Sequence, residues 1–174
     1  MDASRELEAM SMLPNSIVIY LFRDPVGRIT SVFNDKASNM NWAVPKSRGI
    51  DAYSASARRD TRLLYVRSLG RVRKYFSDDR IVLADNADMS TQERLDILMN
   101  EIEVKANLIP RRNFTLIRAN AANNTGSTRH TKAELSQEAI IDLRKYFYKP
   151  NKDFFAMIGK DLGWNDGVVE GNNK

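Results

Sequence analysis

Residues 16–33 read Ser-Ile-Val-Ile-Tyr-Leu-Phe-Arg-Asp-Pro-Val-Gly-Arg-Ile-Thr-Ser-Val-Phe. Residues 16–22 are a nearly continuous apolar run rich in β-branched side chains, which predicts a strand buried on both faces, as in a parallel sheet. Asp24 is placed to cap a helix predicted over residues 26–36, and Pro25 stands at an early helical position where a missing N–H does no harm. The stretch therefore predicts a strand that leads through a short turn into a helix N-terminus.

The remainder of the chain predicts more helices and a second strand, over residues 80–84. Residues 39–56 mix Pro, Gly, Asn and Ser without a clean period, so we expect an irregular loop, a kind of segment that often faces substrate. Pro150 is expected to separate two C-terminal helices. The predicted helices cover residues 61–76, 90–104, 136–148 and 151–162, with 113–118 as a short strand or extended edge and 119–131 as a polar loop. The alternation of strands and helices predicts an α/β fold.

Composition predicts a globular domain with an anionic partner. The chain has 174 residues, 43% hydrophobic and 28% charged, so we expect a single domain over residues 1–174 with 170–174 as a frayed tail. Without cysteine and with one histidine, a disulfide framework, a thiolate or histidine-rich metal site and metal catalysis are not expected. A formal net charge of +5 fits a nucleotide phosphate, an anionic glycan or a nucleic acid.

Arg23 and Ser31 are the candidate phosphate-binding residues. Arg23 follows the carboxyl end of the predicted strand, where α/β sheets bind ligands and where helix N-termini present N–H groups and a positive dipole. An arginine there can hold a phosphate through two parallel hydrogen bonds, and the Ser31 hydroxyl, eight residues later, can add a third. In the alternative interpretation Asp24 and Arg28 form a surface ion pair and Arg23 simply ends a strand.

Residues 17–33 resemble the 3'-phosphate-binding motif of the sulfotransferases that use 3'-phosphoadenosine 5'-phosphosulfate (PAPS). That family has Arg-Asp/Asn-Pro-x-x-Arg-x-x-Ser-x-Tyr after a strand, and this chain has the same order up to Ser31, with Phe33 in place of the tyrosine. Later segments resemble the family in the same order: residues 64–76, 80–83, 90–104 and 135–164, the last ending in Leu162-Gly163-Trp164. The resemblance covers roughly residues 16–164 and implies a P-loop-like parallel sheet flanked by helices.

The resemblance also implies a ligand and its contacts. The family's arginine and serine that bind the donor's 3'-phosphate correspond to Arg23 and Ser31. The family's polar loop that closes over the donor corresponds to residues 124–132, where Thr128 and Arg129 are further expected contacts unless this is an ordinary solvated loop. The implied activity transfers a sulfuryl group from PAPS to a hydroxyl or amine of a carbohydrate-like acceptor, and it needs no metal.

The front of the family fold has no counterpart in this sequence. In the family, a strand, a Lys-containing Gly/Ser/Thr loop for the 5'-phosphosulfate and a Glu or His base precede the arginine motif, whereas here only fifteen residues without lysine precede the first strand. We therefore expect the C-terminal portion of the family fold, truncated at its N-terminus, or a degenerate relative. No catalytic residue is assigned. The ordinary pKa of histidine suits proton transfer, but His130 follows the motif instead of preceding it, and a lone loop histidine usually faces solvent.

Two other functions stay open. The first is a module without chemistry that binds a nucleotide or an anionic glycan. The second is a basic nucleic-acid-binding domain, indicated only by the net charge and by a basic stripe formed by Arg67, Arg71 and Lys74, which is otherwise a solvated helix face. The expected partners remain the donor nucleotide and a carbohydrate acceptor, not nucleic acid. The chain shows no membrane or secretory segment, so it reads as cytoplasmic, or as a Golgi-lumenal protein if an anchor precedes Met1.

Overall fold

The computed structural model describes residues 3–13, 15–39, 46–57, 64–108 and 134–168. In these residues the chain is mixed α/β, with six α-helices and two strands, as the alternating sequence pattern predicts. Their order is α1 Ala3–Ser11, β1 Val18–Phe22, α2 Pro25–Asn39, α3 Lys46–Ala57, α4 Tyr65–Val72, β2 Ile81–Asp85, α5 Gln92–Lys105 and α6 Gln137–Ile158. Short 3₁₀ helices flank β2 at Asp78–Arg80 and Asn86–Met89. The predicted strand 113–118, loop 119–131 and tail 170–174 lie outside the described residues.

The chain divides into two compact units. Unit 1 comprises Met1–Arg23 and Arg67–Asn124, and unit 2 comprises Asp24–Val66 and Thr125–Lys174. The expectation of a single domain stays a prediction.

Unit 1 contains the sheet, in which β1 and β2 pair in parallel. The register runs from Val18 opposite Ile81 to Phe22 opposite Asp85. Both predicted strands are confirmed, each with a shift of one or two residues at its ends. Since the two strands run in the same direction, their carboxyl ends lie at one edge, and the chain continues from that edge into Arg23.

The prediction that β1 is buried on both faces is wrong. Ile19 is 45% exposed and Leu21 is 54% exposed, although their partners across the sheet, Val82 and Ala84, are fully buried. Val82 and Ala84 pack against Leu98 of α5. That helix covers β2 on this face of the sheet and leaves Ile19 and Leu21 of β1 exposed. An apolar run predicts a strand, but it does not show where a covering helix will pack.

Two predicted helices, α4 and α5, are confirmed, α4 over a shorter range, whereas no helix was predicted where α1 lies. α4 begins within the predicted range 61–76 but ends at Val72, and the chain continues in turns to Phe76. The apolar residues Tyr65, Leu69, Val72 and Phe76 follow one another at intervals of four, three and four residues, and all are at most 7% exposed. α5 begins after Thr91, whose side chain accepts the Arg94 N–H at 3.3 Å.

Unit 2 is built around a core shared by α2, α3 and α6. The core contains Val26, Ile29 and Phe33 of α2, Ile50 of α3, Leu135, and Leu143 and Phe147 of α6. The prediction that residues 39–56 form a loop is therefore wrong over the helix α3. Its Ser and Gly content gives weak helix propensity, but Ile50 is fully buried, so packing against the core stabilises a helix that local preference does not.

The prediction that Pro150 separates two helices is also wrong. α6 runs without interruption from Gln137 to Ile158, with Ser136 as its N-cap and Gly159 (φ 70°) as its C-cap. Buried residues lie on both sides of the proline, including Phe147 and Phe154, so burial of one face offsets the backbone hydrogen bond that proline removes.

The segment after α6 folds back onto the helix near this proline. Asn165 donates to the carbonyl of Tyr148 at 3.1 Å and accepts from the buried Asn151 at 3.0 Å. Trp164 stacks on Phe154 with ring centroids 6.0 Å apart. The Leu162-Gly163-Trp164 sequence is thus part of the packing of unit 2.

Candidate functional site

Arg23 stands directly after β1 as the sequence predicts. It is half-buried and belongs to unit 1. The neighbouring residue Phe22 lies opposite Asp85, the last residue of β2. Arg23 therefore follows the edge at which both parallel strands end, which is the edge where open α/β sheets bind ligands.

Asp24 caps α2, as predicted, and it does so with both carboxylate oxygens. Oδ1 accepts the Val26 N–H and Oδ2 accepts the Gly27 N–H, each at 3.1 Å, while the Arg28 N–H donates to the Asp24 carbonyl at 2.9 Å. The expectation that this helix N-terminus presents free N–H groups is therefore wrong for Val26 and Gly27. These two N–H groups are not available to an anion, because the protein's own carboxylate already accepts them.

Ser31 lies on α2 and its side chain is exposed. The preceding hydroxyl, on Thr30, donates to the Val26 carbonyl within the helix at 3.1 Å. Phe33 is only 1% exposed and packs 5.6 Å from the Tyr53 ring. Ser31 therefore presents a hydroxyl to solvent, whereas the Thr30 hydroxyl bonds to the backbone of its own helix and Phe33 belongs to the core.

The predicted site is described only in part. Arg23 belongs to unit 1, whereas Ser31 lies in unit 2, and their joint action on one phosphate stays a prediction. Thr128, Arg129 and the considered base His130 lie outside the described residues.

The cap gives a first prediction about stability. Asp24→Ala is expected to lower the free energy of unfolding by about 1–2 kcal/mol, because the N–H groups of Val26 and Gly27 lose their acceptor, whereas Asp24→Asn keeps most of the cap. Asp35→Ala is the matched control, since Asp35 is an exposed carboxylate on the same helix. Urea unfolding measures all three variants, and equal losses for Asp24→Ala and Asp35→Ala would contradict the capping role.

Sequence reasoning missed Asp85 at the carboxyl end of β2. Its Oδ1 accepts the Ala87 N–H at 3.2 Å, at the start of the 3₁₀ helix Asn86–Met89. The signal was available, since Asp85 directly follows the apolar run of the second predicted strand. Asp85 places a carboxylate at the same sheet edge that Arg23 follows, so both charges contribute to the local field that an anionic ligand meets.

Asp79, a carboxylate with a shifted pKa, lies just before the amino end of β2, whereas Asp85 lies at its carboxyl end. A hydrogen bond with the Ser77 side chain, helped by the charges of Arg80 and Lys105, lowers the pKa of Asp79 below its ordinary value. A carboxylate with a lowered pKa is a weaker base.

Two further searches cover the described part of the chain only. Within it, no three His, Cys, Asp or Glu side chains come together in a way that would hold a metal ion. Over the same residues, none of the helices has both the length and the apolar character that crossing a membrane requires.

Comparisons with known proteins gave no match. A scan against protein-family models, a search of curated proteins and a search of solved structures each found nothing similar to this chain. Function is therefore argued from the residues themselves.

Proposed function

We propose that this chain is a sulfotransferase-type domain that binds the 3'-phosphate of PAPS through Arg23 and Ser31. In this proposal the domain has a P-loop-like sheet, and it transfers a sulfuryl group to a hydroxyl or amine of a carbohydrate-like acceptor. The observation that carries the proposal is the junction at the end of β1, where the strand ends at Phe22, Arg23 follows, and Asp24 caps a helix that bears an exposed Ser31.

The chemistry of the junction supports a phosphate ligand. A guanidinium forms two parallel, charge-assisted hydrogen bonds with a phosphate, and a serine hydroxyl adds a neutral one. Because the Asp24 carboxylate occupies the first N–H groups of α2, these side chains carry the binding in place of the helix backbone. Thr128 and Arg129 are proposed as additional donor contacts on the grounds of the family resemblance alone.

The group-transfer step needs more than donor binding. Sulfuryl transfer requires a base for the acceptor's proton and positive charge near the leaving phosphate, by the same logic as phosphoryl transfer. The parallel pairing of β1 with β2 supports an α/β arrangement of the donor site but assigns no base. The proposal therefore names donor-binding residues and leaves the catalytic base unassigned.

Calorimetry with two nucleotides tests the donor-binding step. The protein is expected to bind 3'-phosphoadenosine 5'-phosphate at least about tenfold more tightly than adenosine 5'-phosphate, because only the first carries the 3'-phosphate that Arg23 would contact. Equal affinity for the two nucleotides, or binding of neither, would contradict the proposal. Binding without sulfate transfer from labelled PAPS to a panel of sugars would instead favour a nucleotide-binding module.

A further inference from the structure

The basic stripe on α4 and the turn after it is exposed along its whole length. Arg67, Arg71 and Lys74 are spaced four and three residues apart, and all three are exposed. Leu69, Val72 and Phe76 on the opposite side are buried. α4 ends at Val72, and at the rise of an α-helix the seven steps from Arg67 to Lys74 would correspond to about 10 Å. The stripe is therefore a short straight line of positive charge on unit 1.

Other cations of unit 1 have partners within the protein. Arg73 pairs with Asp78 at 2.8 Å, and Lys105 bonds with the carbonyl of Asp78 at 3.1 Å and pairs with Glu101 at 3.2 Å. Arg80 donates to the carbonyls of Ser11, Leu13 and Ser16. By contrast, the residues that the structure describes supply no hydrogen bond or ion pair to the three side chains of the stripe.

The stripe is unfavourable for the isolated protein. Like charges three or four residues apart on a helix repel one another by a few tenths of a kcal/mol per pair. An anionic partner with several charges would relieve this repulsion and gain an attraction at each cation, whereas one small anion would meet only part of the line. Charge complementarity thus favours a linear polyanion.

We infer that the basic stripe binds an anionic glycan that carries sulfate or carboxylate groups. Two of its three cations are arginines, whose planar guanidinium forms paired hydrogen bonds with such oxyanions. Binding an anionic glycan requires no exposed aromatic ring for base stacking. This agrees with the described part of unit 1, where every aromatic residue is buried or half-buried: Tyr20, Phe22, Tyr75 and Phe76.

A nucleic acid fits the same surface less well. Proteins that hold single strands stack bases on accessible aromatic rings, and the described part of unit 1 presents no exposed ring. Duplex binding proteins commonly make about six to ten phosphate contacts, more than three cations on one short helix provide. The inference is independent of the proposed function, because it requires neither the donor nucleotide nor Arg23.

Two triple variants with the same charge test the inference. One replaces Arg67, Arg71 and Lys74 with glutamine, and the other replaces Arg5, Lys145 and Lys160, which are exposed cations scattered elsewhere. Each lowers the formal net charge from +5 to +2, and glutamine is a good helix former. Calorimetry at physiological ionic strength then measures binding to a defined heparin oligosaccharide, a neutral dextran of similar length and a short DNA duplex.

The wild-type protein is expected to bind the heparin oligosaccharide and not the dextran. The stripe variant should lose at least about tenfold in affinity and show a flatter salt dependence, whereas the control variant should change less than about twofold. Equal losses in the two variants would show that only bulk charge matters and would overturn the inference. Tighter binding to DNA than to heparin, or no heparin binding by the wild-type protein, would overturn it as well.

Discussion

Replacing Arg23 with alanine is expected to weaken the binding of 3'-phosphoadenosine 5'-phosphate about 100-fold. Hydrogen bonds to charged groups contribute about 1.5–3 kcal/mol each, and a half-buried guanidinium that makes two of them loses part of this to water. A net loss of about 3 kcal/mol corresponds to this change in affinity. Calorimetry gives the dissociation constants, and far-UV circular dichroism checks that the variant is folded.

Matched variants separate a specific contact from a general charge effect. Arg23→Lys keeps the charge but not the planar fork, so an intermediate loss of about tenfold is expected. Arg67→Ala removes an equal charge from the exposed surface of α4 and should change nucleotide affinity less than about twofold. If Arg23→Ala and Arg67→Ala weaken binding equally, Arg23 is not a phosphate ligand.

The serine receives a parallel test with a neighbouring hydroxyl. Ser31→Ala should weaken binding about fivefold, the size expected for one neutral hydrogen bond. Thr30→Ala serves as its control, because the Thr30 hydroxyl donates to the Val26 carbonyl within α2 and should leave nucleotide affinity unchanged. The same loss in both variants would mean that the helix, and not the Ser31 hydroxyl, determines the binding.

The strand-to-helix junction was predictable because short-range rules determine it. Asp24 caps α2 and Pro25 begins it, and both features follow from which residues tolerate the first helical turn. The two strands were recognised by their apolar runs. Each of these signals lies within a few residues of the element that it predicts.

The wrong predictions all depend on contacts between residues distant in sequence. α3 exists because Ile50 is buried against α2 and α6, and α6 continues through Pro150 because Phe147 and Phe154 are buried on either side of it. The exposure of Ile19 and Leu21 depends on where α5 packs. In each case tertiary packing outweighed a local preference, and local preference is what a single sequence displays.

The features of the candidate site also divide into those that the local sequence predicted and those that depend on the folded arrangement. The sequence located Arg23 at a strand end, Ser31 on the next helix and Asp24 as the cap of that helix. It gave no register, so it could not show that Asp85 lies opposite Phe22. Register and hydrogen-bond partners depend on the folded arrangement, and they determine which groups remain available to a ligand.

Arg80→Ala is expected to lower the free energy of unfolding by about 3 kcal/mol. The guanidinium donates to the carbonyls of Ser16, Ser11 and Leu13 at 2.8, 3.1 and 3.1 Å and also contacts the Ser16 hydroxyl. It lies 4.9 Å above the Phe76 ring. One side chain thereby joins the end of α1 and the approach to β1 to the start of β2. Its loss removes the donor from partly buried carbonyls and also removes a cation–π contact.

Arg73 provides the matched control for this effect. It precedes the 3₁₀ helix Asp78–Arg80, and its Nε and Nη2 donate to the Asp78 carboxylate at 2.8 and 3.3 Å. Because the Asp78 side chain is 71% exposed and water competes for it, Arg73→Ala should lower the free energy of unfolding by about 1 kcal/mol, well below the loss for Arg80→Ala. Guanidinium unfolding followed by circular dichroism compares the two, and a similar cost for both would refute the joining role of Arg80.

Nucleotide affinity distinguishes Arg80 from Arg23. Arg80 stands at the amino ends of the paired strands, because Val18 lies opposite Ile81, whereas Arg23 follows their carboxyl ends. At a temperature where Arg80→Ala is folded, binding of 3'-phosphoadenosine 5'-phosphate should therefore stay within about twofold of the wild-type value, since no ligand contact is lost. Arg23→Ala should show a large loss of affinity instead. If both variants lose affinity alike, the phosphate is not bound specifically at the carboxyl edge.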